Sequence, residues 1–277
     1  MEFIRYEESR PEAMRAMLKT APVAYVPLGA LEWHGEHGPL GLDGLKAYAL
    51  CAATAERTGG VLFPTMYWGA FDTMMFPFTF NFRKTVIKTL VHETLKQLEH
   101  WGFKVIVMLT GHYPPSQIKL LKKECRRFNK AGDALAIGVP EQVFALDIDY
   151  YGDHAGMWET SIMMAIRPEL INLSAMPKGL SAIERLEKYG VMGHDPISRA
   201  SAEKGQMAID HIVKRLAALV EKVIKEKNDR AFEEVYECYE KTMNFFSIRI
   251  LDVGRKALGV NSLRELIRFG IRMFLHL

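Results

Sequence analysis

The stretch PVAYVPLGALEWHGEHGPLGLD, residues 22–43, joins two kinds of chemistry. Its first ten residues are almost continuously apolar and rich in β-formers, as a strand buried on both faces of a parallel sheet requires. The next twelve gather Glu32, His34, Glu36, His37 and Asp43 among glycines and prolines, where that strand should end. KVIVMLTGH (104–112) repeats the arrangement, an apolar run closed by His112.

Working outward, helix-like and strand-like segments alternate. GLKAYALCAATAERT (44–58) has helical spacing and is stopped by Gly59 and Gly60, and VLFPTMYWG (61–69) reads as the next strand. TVIKTLVHETLKQLEHWG (85–102) is an amphipathic helix, QIKLLKKECRRFNKAG (117–132) another, and ALAIGVP a strand. ETSIMMAIRPELI (159–171) and 201–229 continue as helices, whereas 70–84 and 173–200 read as long loops. Strands spaced by helices of this length imply right-handed crossovers. The expected fold class is α/β, a single-domain layered fold with a mainly parallel sheet flanked by helices. The domain is expected over residues 1–240, with 241–277 as a helical extension. Its tail, NSLRELIRFGIRMFLHL, is a basic amphipathic helix suited to docking on its own or a neighbouring subunit.

The 277 residues carry a formal charge of only +3, which argues against nucleic acid as the main partner. Cys51, Cys125 and Cys238 are far apart and read as reduced thiols. The N-terminal residues lack the apolar core of a signal peptide, and no apolar run reaches the ~18 residues of a membrane span. A soluble, cytoplasmic protein is expected.

In open parallel sheets, ligands bind beyond the carboxyl ends of the strands. That rule brings three segments to one rim. In extended chain, Glu32 and His34 at i and i+2 point the same way, and carboxylate with imidazole suits Zn²⁺, Mn²⁺ or Fe²⁺. Asp43 could return after the turn and bridge two ions, or simply cap a helix. His112 stands where α/β sites recruit ligands, or satisfies its turn backbone. Asp153, His154 and Glu159 form the third segment, and Glu159 at a helix start also has the bland role of offsetting the helix dipole. Thr160 and Ser161 fit as fillers of that turn. Met74, Met75, Phe76, Phe78, Phe80 and Phe82 form an apolar stripe that reads as core in preference to a pocket wall. His194, Asp195 and the run 223–230 read as solvated.

The combination PLGALEWHGEHGPLGLD, GHY, DHAGMWETS and GHDPISRASAEKGQ (193–206) resembles the creatininase (creatinine amidohydrolase) family of metal-dependent amidohydrolases, over about residues 20–225. The resemblance implies a compact α/β fold, two divalent metal ions (Zn, Mn or Fe), hydrolysis of a small amide C–N bond, and a homo-oligomer, often a hexamer. It implies Glu32, His34, Asp43 and His112 as metal ligands with Asp43 bridging, Glu159 as a further ligand, and His154 as the proton shuttle. In the mechanism this suggests, Asp153 either orients that imidazole or hydrogen-bonds a metal-binding histidine. Two departures stand out. Where the family continues as GHGGN or GHYEN, this chain has GHYPP, placing Pro114 at the metal-binding glutamate of creatininase and Pro115 at the asparagine. Thr73 replaces the family's histidine ahead of its FPGT segment, and Phe78 replaces the glycine of that segment. The expected function is therefore a metal-dependent amidohydrolase of a small cyclic or formyl amide other than creatinine. Hydrolytic ring opening of a carbohydrate-like carbonyl compound and non-catalytic metal or ligand binding are the alternatives. The expected partner is a small-molecule substrate, with neither nucleic acid nor membrane.

Overall fold

The computed structural model describes residues 1–69, 74–248, 254–260 and 262–275. In chain order its elements are β1 (Phe3–Arg5), α1 (Pro11–Thr20), β2 (Val23–Ala30), α2 (Leu42–Thr58), β3 (Gly60–Leu62), β4 (Met66–Gly69), α3 (Lys84–His100), β5 (Val105–Thr110), α4 (Pro115–Asn129) and β6 (Leu135–Pro140). After β6 come α5 (Met157–Ile166), α6 (Ala182–Tyr189), α7 (Pro196–Arg199), α8 (Ala202–Glu226), α9 (Arg230–Ile248) and α10 (Leu263–Phe274), with short 3₁₀ turns among them and a π-helical turn at Gly254–Leu258.

Every strand pairing is parallel, in the order β1-β3-β2-β5-β6, with β4 also on β2. The α/β layered architecture is as expected. β2 and β5 are buried along their whole lengths, which is why both read as unbroken apolar runs. Their side chains alternate between two cores. Tyr25, Val107 and Leu109 face α2, α5 and α8 through Leu50, Ile162 and Ile212. Ala24, Val26, Ile106 and Met108 face α3 and α4 through Val91, Leu95 and Leu121.

Several expectations are corrected. The single strand expected at 61–69 is two. β3 pairs with the start of β2 and β4 with its end, and the break falls at Pro64, which lacks an N–H for the ladder. The loop expected at 173–200 contains α6, closed by a capping box between Ser181 and Glu184 and a left-handed Gly190. The helix expected over 159–171 starts at Met157 and ends at Ile166, because Pro168 cannot continue it. β1 and α1 add an edge that the sequence reading omitted. Helix α9 runs through residue 240. Of the tail, α10 is helical, while residues 261, 276 and 277 lie outside the described residues. No described helix is long and apolar enough to cross a membrane.

The aromatic stripe splits. Met74 and Phe76 are buried, but Met75, Phe78, Phe80 and Phe82 are exposed, so the core reading fails for these four. Cys51 and Cys125 are buried, where burial pushes their thiols up, and Cys238 is exposed.

Candidate metal centre

Three chain segments converge beyond the carboxyl ends of β2 and β5. After β2 the chain turns back on itself, Glu32 N donating to the Leu40 carbonyl at 2.9 Å, and this brings α2 under the strand end. Asp43 lies in the first turn of α2 without capping it; the N-cap is Gly41, and the carboxylate is buried. His112 follows β5 by two residues and is held by Thr110, whose hydroxyl donates to the His112 carbonyl and accepts from its N–H.

This convergence depends on Gly111. A Cβ there would meet the Asp43 carbonyl oxygen at 2.1 Å, so only glycine lets the end of β5 pass so close to the start of α2. Gly111→Ala should cost about 1–3 kcal/mol through overpacking against backbone. A melting temperature lowered by several degrees would register it, and an unchanged value would refute it.

The geometry at the centre is a set of short contacts sharing one carboxylate. Asp43 Oδ1 lies 3.2 Å from His34 Nε2, and Asp43 Oδ2 lies 3.1 Å from His112 Nδ1. Glu32 Oε1 meets His112 Nδ1 at 2.7 Å, and Glu159 Oε2 lies 3.6 Å from His34 Nε2. Two buried triads result, Glu32–Asp43–His112 and His34–Asp43–Glu159, each with ligand-type atoms within 4.8 Å of one another. A third, Glu32–His34–His154, overlaps them. All five residues expected as ligands are thus together.

The donor set fits divalent cations. Glu32, Asp43 and Glu159 bring three carboxylates into a space closed to water, and imidazole and carboxylate donors without thiolate suit Zn²⁺, Mn²⁺ or Fe²⁺. The same carboxylates act on the protons of the two rings. Burial works against a charged ring at His34, but Asp43, Glu159 and Glu32 outweigh it and raise its pKa to about 9. At His112 the same balance, with Glu32 and Asp43 prevailing over burial, gives about 10. Asp43 is held well below its usual value by His34 and His112, against the effect of burial.

A pH dependence follows. Both histidines have folded pKa values above the ordinary ~6.5, so their contribution to the metal-free fold is full below pH ~6.5 and is lost as pH rises through 9 to 10. The melting temperature of metal-free protein should fall over that interval. Zinc uptake at pH 7.5 should release protons, because ligating imidazoles must be neutral. Calorimetry in buffers of different ionisation enthalpy measures that release, and none would contradict the assignment.

His154 and Asp153 separate in role. The His154 ring nitrogen Nε2 lies 2.8 Å from the Trp33 carbonyl oxygen, to which it donates, and Nδ1 lies 3.8 Å from Glu32 Oε1. Burial lowers its pKa despite the nearby Glu32. Asp153 does not orient this ring, contrary to expectation. Its two carboxylate oxygens accept from the N–H groups of Trp158 and Glu159 at 2.8 and 3.2 Å, capping α5 and so placing Glu159. Burial and the Glu159 charge raise Asp153 to about 7. Ala155 adopts a left-handed φ of 53°, which turns the chain so that its N–H donates to Glu159 Oε2 at 2.8 Å.

Of the two other titratable residues in this stretch, Glu36 is exposed. His37 is buried with its Nε2 3.0 Å from Thr160 Oγ1, and burial lowers it to about 4. Asp195 caps α7, His194 is half-buried, and neither joins the centre.

Three participants escaped the sequence reading. Lys46 is fully buried, with Nζ 2.7 Å from both Glu159 Oε1 and Glu141 Oε1. Tyr113 donates to Glu159 Oε1 at 2.7 Å. Signals existed: Lys46 is three residues beyond Asp43 on one helix face, and Glu141 directly follows β6 at the same rim. Pro114 and Pro115 serve as N-cap and first residue of α4, a position that favours proline.

Beside the centre, Leu31, Leu40, Phe76, Phe78, Thr79 and Phe80 line a cavity of about 450 Å³. Phe76 is common to both, stacking on His154 with ring centroids 6.0 Å apart. Phe78, at the family's glycine position, takes a left-handed φ of 57° that glycine would adopt without strain. Thr73 lies outside the described residues.

Comparison with known proteins agrees with this architecture. The family model for creatinine amidohydrolase matches residues 7–220. Creatinine amidohydrolase of Pseudomonas putida is 27% identical over 232 residues, covering 70% of this chain and 87% of that protein. A mycofactocin precursor peptide peptidase of Mycobacterium ulcerans (strain Agy99) is 26% identical over 224 residues, covering 72% of this chain and 86% of that protein. Among solved structures, crystalline creatininase superposes with a TM-score of 0.68 at 23% identity, over 82% of this chain and 98% of its own. A manganese form (81% of this chain, 99% of its own) and a mutant of Zn–Zn type (82% and 99%) each give a TM-score of 0.65 at 24% identity. With the family model spanning most of its length, this chain belongs to the creatinine amidohydrolase (creatininase) family.

Proposed function

We propose that this chain is a metal-dependent amidohydrolase that cleaves a C–N bond of a small cyclic or formyl amide other than creatinine. The observation that carries this reading is the sharing of Asp43 between two buried triads, each of its oxygens facing a different histidine. Glu32, Asp43 and His112 would hold one divalent ion, and His34, Asp43 and Glu159 a second; the manganese and zinc–zinc creatininases name the ions to test first. Divalent ions so held supply Lewis acidity, polarising a carbonyl and lowering the pKa of water.

The chain's own residues complete the chemistry. Donation from Nε2 to the Trp33 carbonyl fixes the His154 tautomer and leaves Nδ1 as the acceptor. Nδ1 takes a proton as water adds to the carbonyl and returns it to the leaving nitrogen. Phe76 stacks on the His154 ring and so limits its rotation. Asp153 holds the start of α5 and thereby Glu159. Creatinine is disfavoured because Pro114, Pro115 and Phe78 replace the groups that creatininase places there. The same proposal includes a homo-oligomer, which sedimentation would test.

A second reading, cleavage of a peptide amide, is favoured by the peptide peptidase relative and by the open aromatic cavity beside the centre. Turnover by zinc- and manganese-loaded protein, measured on creatinine, cyclic amides, formyl amides and short peptides, decides between them. Hydrolysis confined to peptides would replace the first reading with the second. Bound metal without turnover on any amide or on a carbohydrate lactone would support a binding protein instead.

A further inference from the structure

We infer that Lys46 is a built-in cation that makes the two metal positions unequal, so that the Glu32–Asp43–His112 position fills tightly and the His34–Asp43–Glu159 position weakly. The inference rests on the metal reading above. A fully buried ammonium is costly unless carboxylates surround it, and Lys46 has two, each at 2.7 Å. Its Nζ also lies 4.7 Å from the centroid of the Tyr113 ring.

The consequence falls on Glu159. Oε1 accepts from Lys46 and from Tyr113 OH, and Oε2 accepts from the Ala155 N–H while facing His34. Every Glu159 oxygen therefore already has a donor, and its charge is already compensated. Glu32 differs. Among the described residues its Oε1 forms ion pairs with imidazoles alone, and no lysine or arginine pairs with Glu32 or Asp43. A divalent ion beside Glu159 meets the repulsion of Lys46 at close range, inside a region where screening by water is weak. Glu141 also meets Lys46 at 2.7 Å but belongs to neither triad, so of the two carboxylates on the ammonium only Glu159 is also a candidate ligand. Pro114 adds no acid to the second position, which depends on Glu159 as its own carboxylate beside the shared Asp43.

Equilibrium dialysis of purified metal-free protein against buffered free zinc, with bound zinc counted by mass spectrometry, tests this. Wild-type protein should bind one zinc, and a second only at free zinc at least about tenfold higher. Lys46→Met combined with Glu141→Gln removes the charge pair while keeping an acceptor for the Tyr150 hydroxyl, which donates to Glu141 at 2.8 Å. In that variant the second step should move at least about tenfold toward lower free zinc, the first step staying within about threefold. Glu159→Gln, in an otherwise wild-type chain, should abolish the weak step and keep the tight one. That variant tests the assignment even if the double variant fails to fold. Loading of two ions in one step by wild type, or loss of the tight step in Glu159→Gln, would overturn the inference while leaving the metal reading intact. Absence of zinc binding by wild type would overturn both.

Discussion

Asp43→Asn is expected to abolish turnover and to empty both metal positions, leaving a folded chain. Each Asp43 oxygen serves a different triad, so one amide nitrogen in place of an oxygen removes the shared ligand from one side and the whole of the Asp43 charge from both. Loss of several kcal/mol of charge stabilisation in the transition state corresponds to at least about 10³-fold in rate. The size of the effect distinguishes Asp43 from the outer residues, whose replacement should cost about 10- to 100-fold. Zinc content after dialysis, circular dichroism and turnover are the three measurements. A folded variant that retains two zinc ions and near-normal turnover would remove Asp43 from the centre and the dinuclear proposal with it.

His154→Ala is expected to lower turnover by about 10²- to 10⁴-fold while zinc content stays at the wild-type level. The reasoning is geometric. Nε2 is committed to the Trp33 carbonyl, burial favours the neutral ring, and Nδ1 is turned toward the triads at 3.8 Å from Glu32. A neutral imidazole with one free acceptor nitrogen serves as a base. Yet His154 also belongs to a triad with Glu32 and His34, an arrangement that could ligate. Metal content separates the two. Zinc retained with turnover lost assigns the proton-transfer role, and zinc lost in proportion to activity assigns ligation. Turnover unchanged would exclude both.

The legible parts of this molecule were those with strong local signals. β2 and β5 were readable because strands buried on both faces need continuous apolar residues, and the chain contains few such runs. The five ligand-type residues were readable because the topology of a parallel sheet sends every strand end to one rim. Phe63–Thr65 was misread because a proline break of three residues leaves the apolar composition of a strand intact. α6 was missed although Ser181 and Glu184 form a capping box, because its eight residues are too few for periodicity to stand out.

Asp153 and Lys46 show the deeper limit. Asp153 beside His154 in sequence suggested a pair, but adjacent residues in a turn diverge, and its oxygens were taken up by the N-terminus of α5. Nothing in the local sequence separates Lys46 from other lysines on helices. Only the packing of α2 between the end of β6 and the start of α5 places its ammonium against two carboxylates more than ninety positions away.

By itself, then, the sequence determined the layered parallel sheet, the rim at which the site forms and the donor types gathered there, because strand burial and side-chain chemistry are written residue by residue. The tertiary structure decided which oxygen of Asp43 faces which histidine, that the Trp33 carbonyl orients His154, and that a lysine sits beside Glu159. Those choices depend on distances between segments distant in sequence, and such distances are set only when the helices pack.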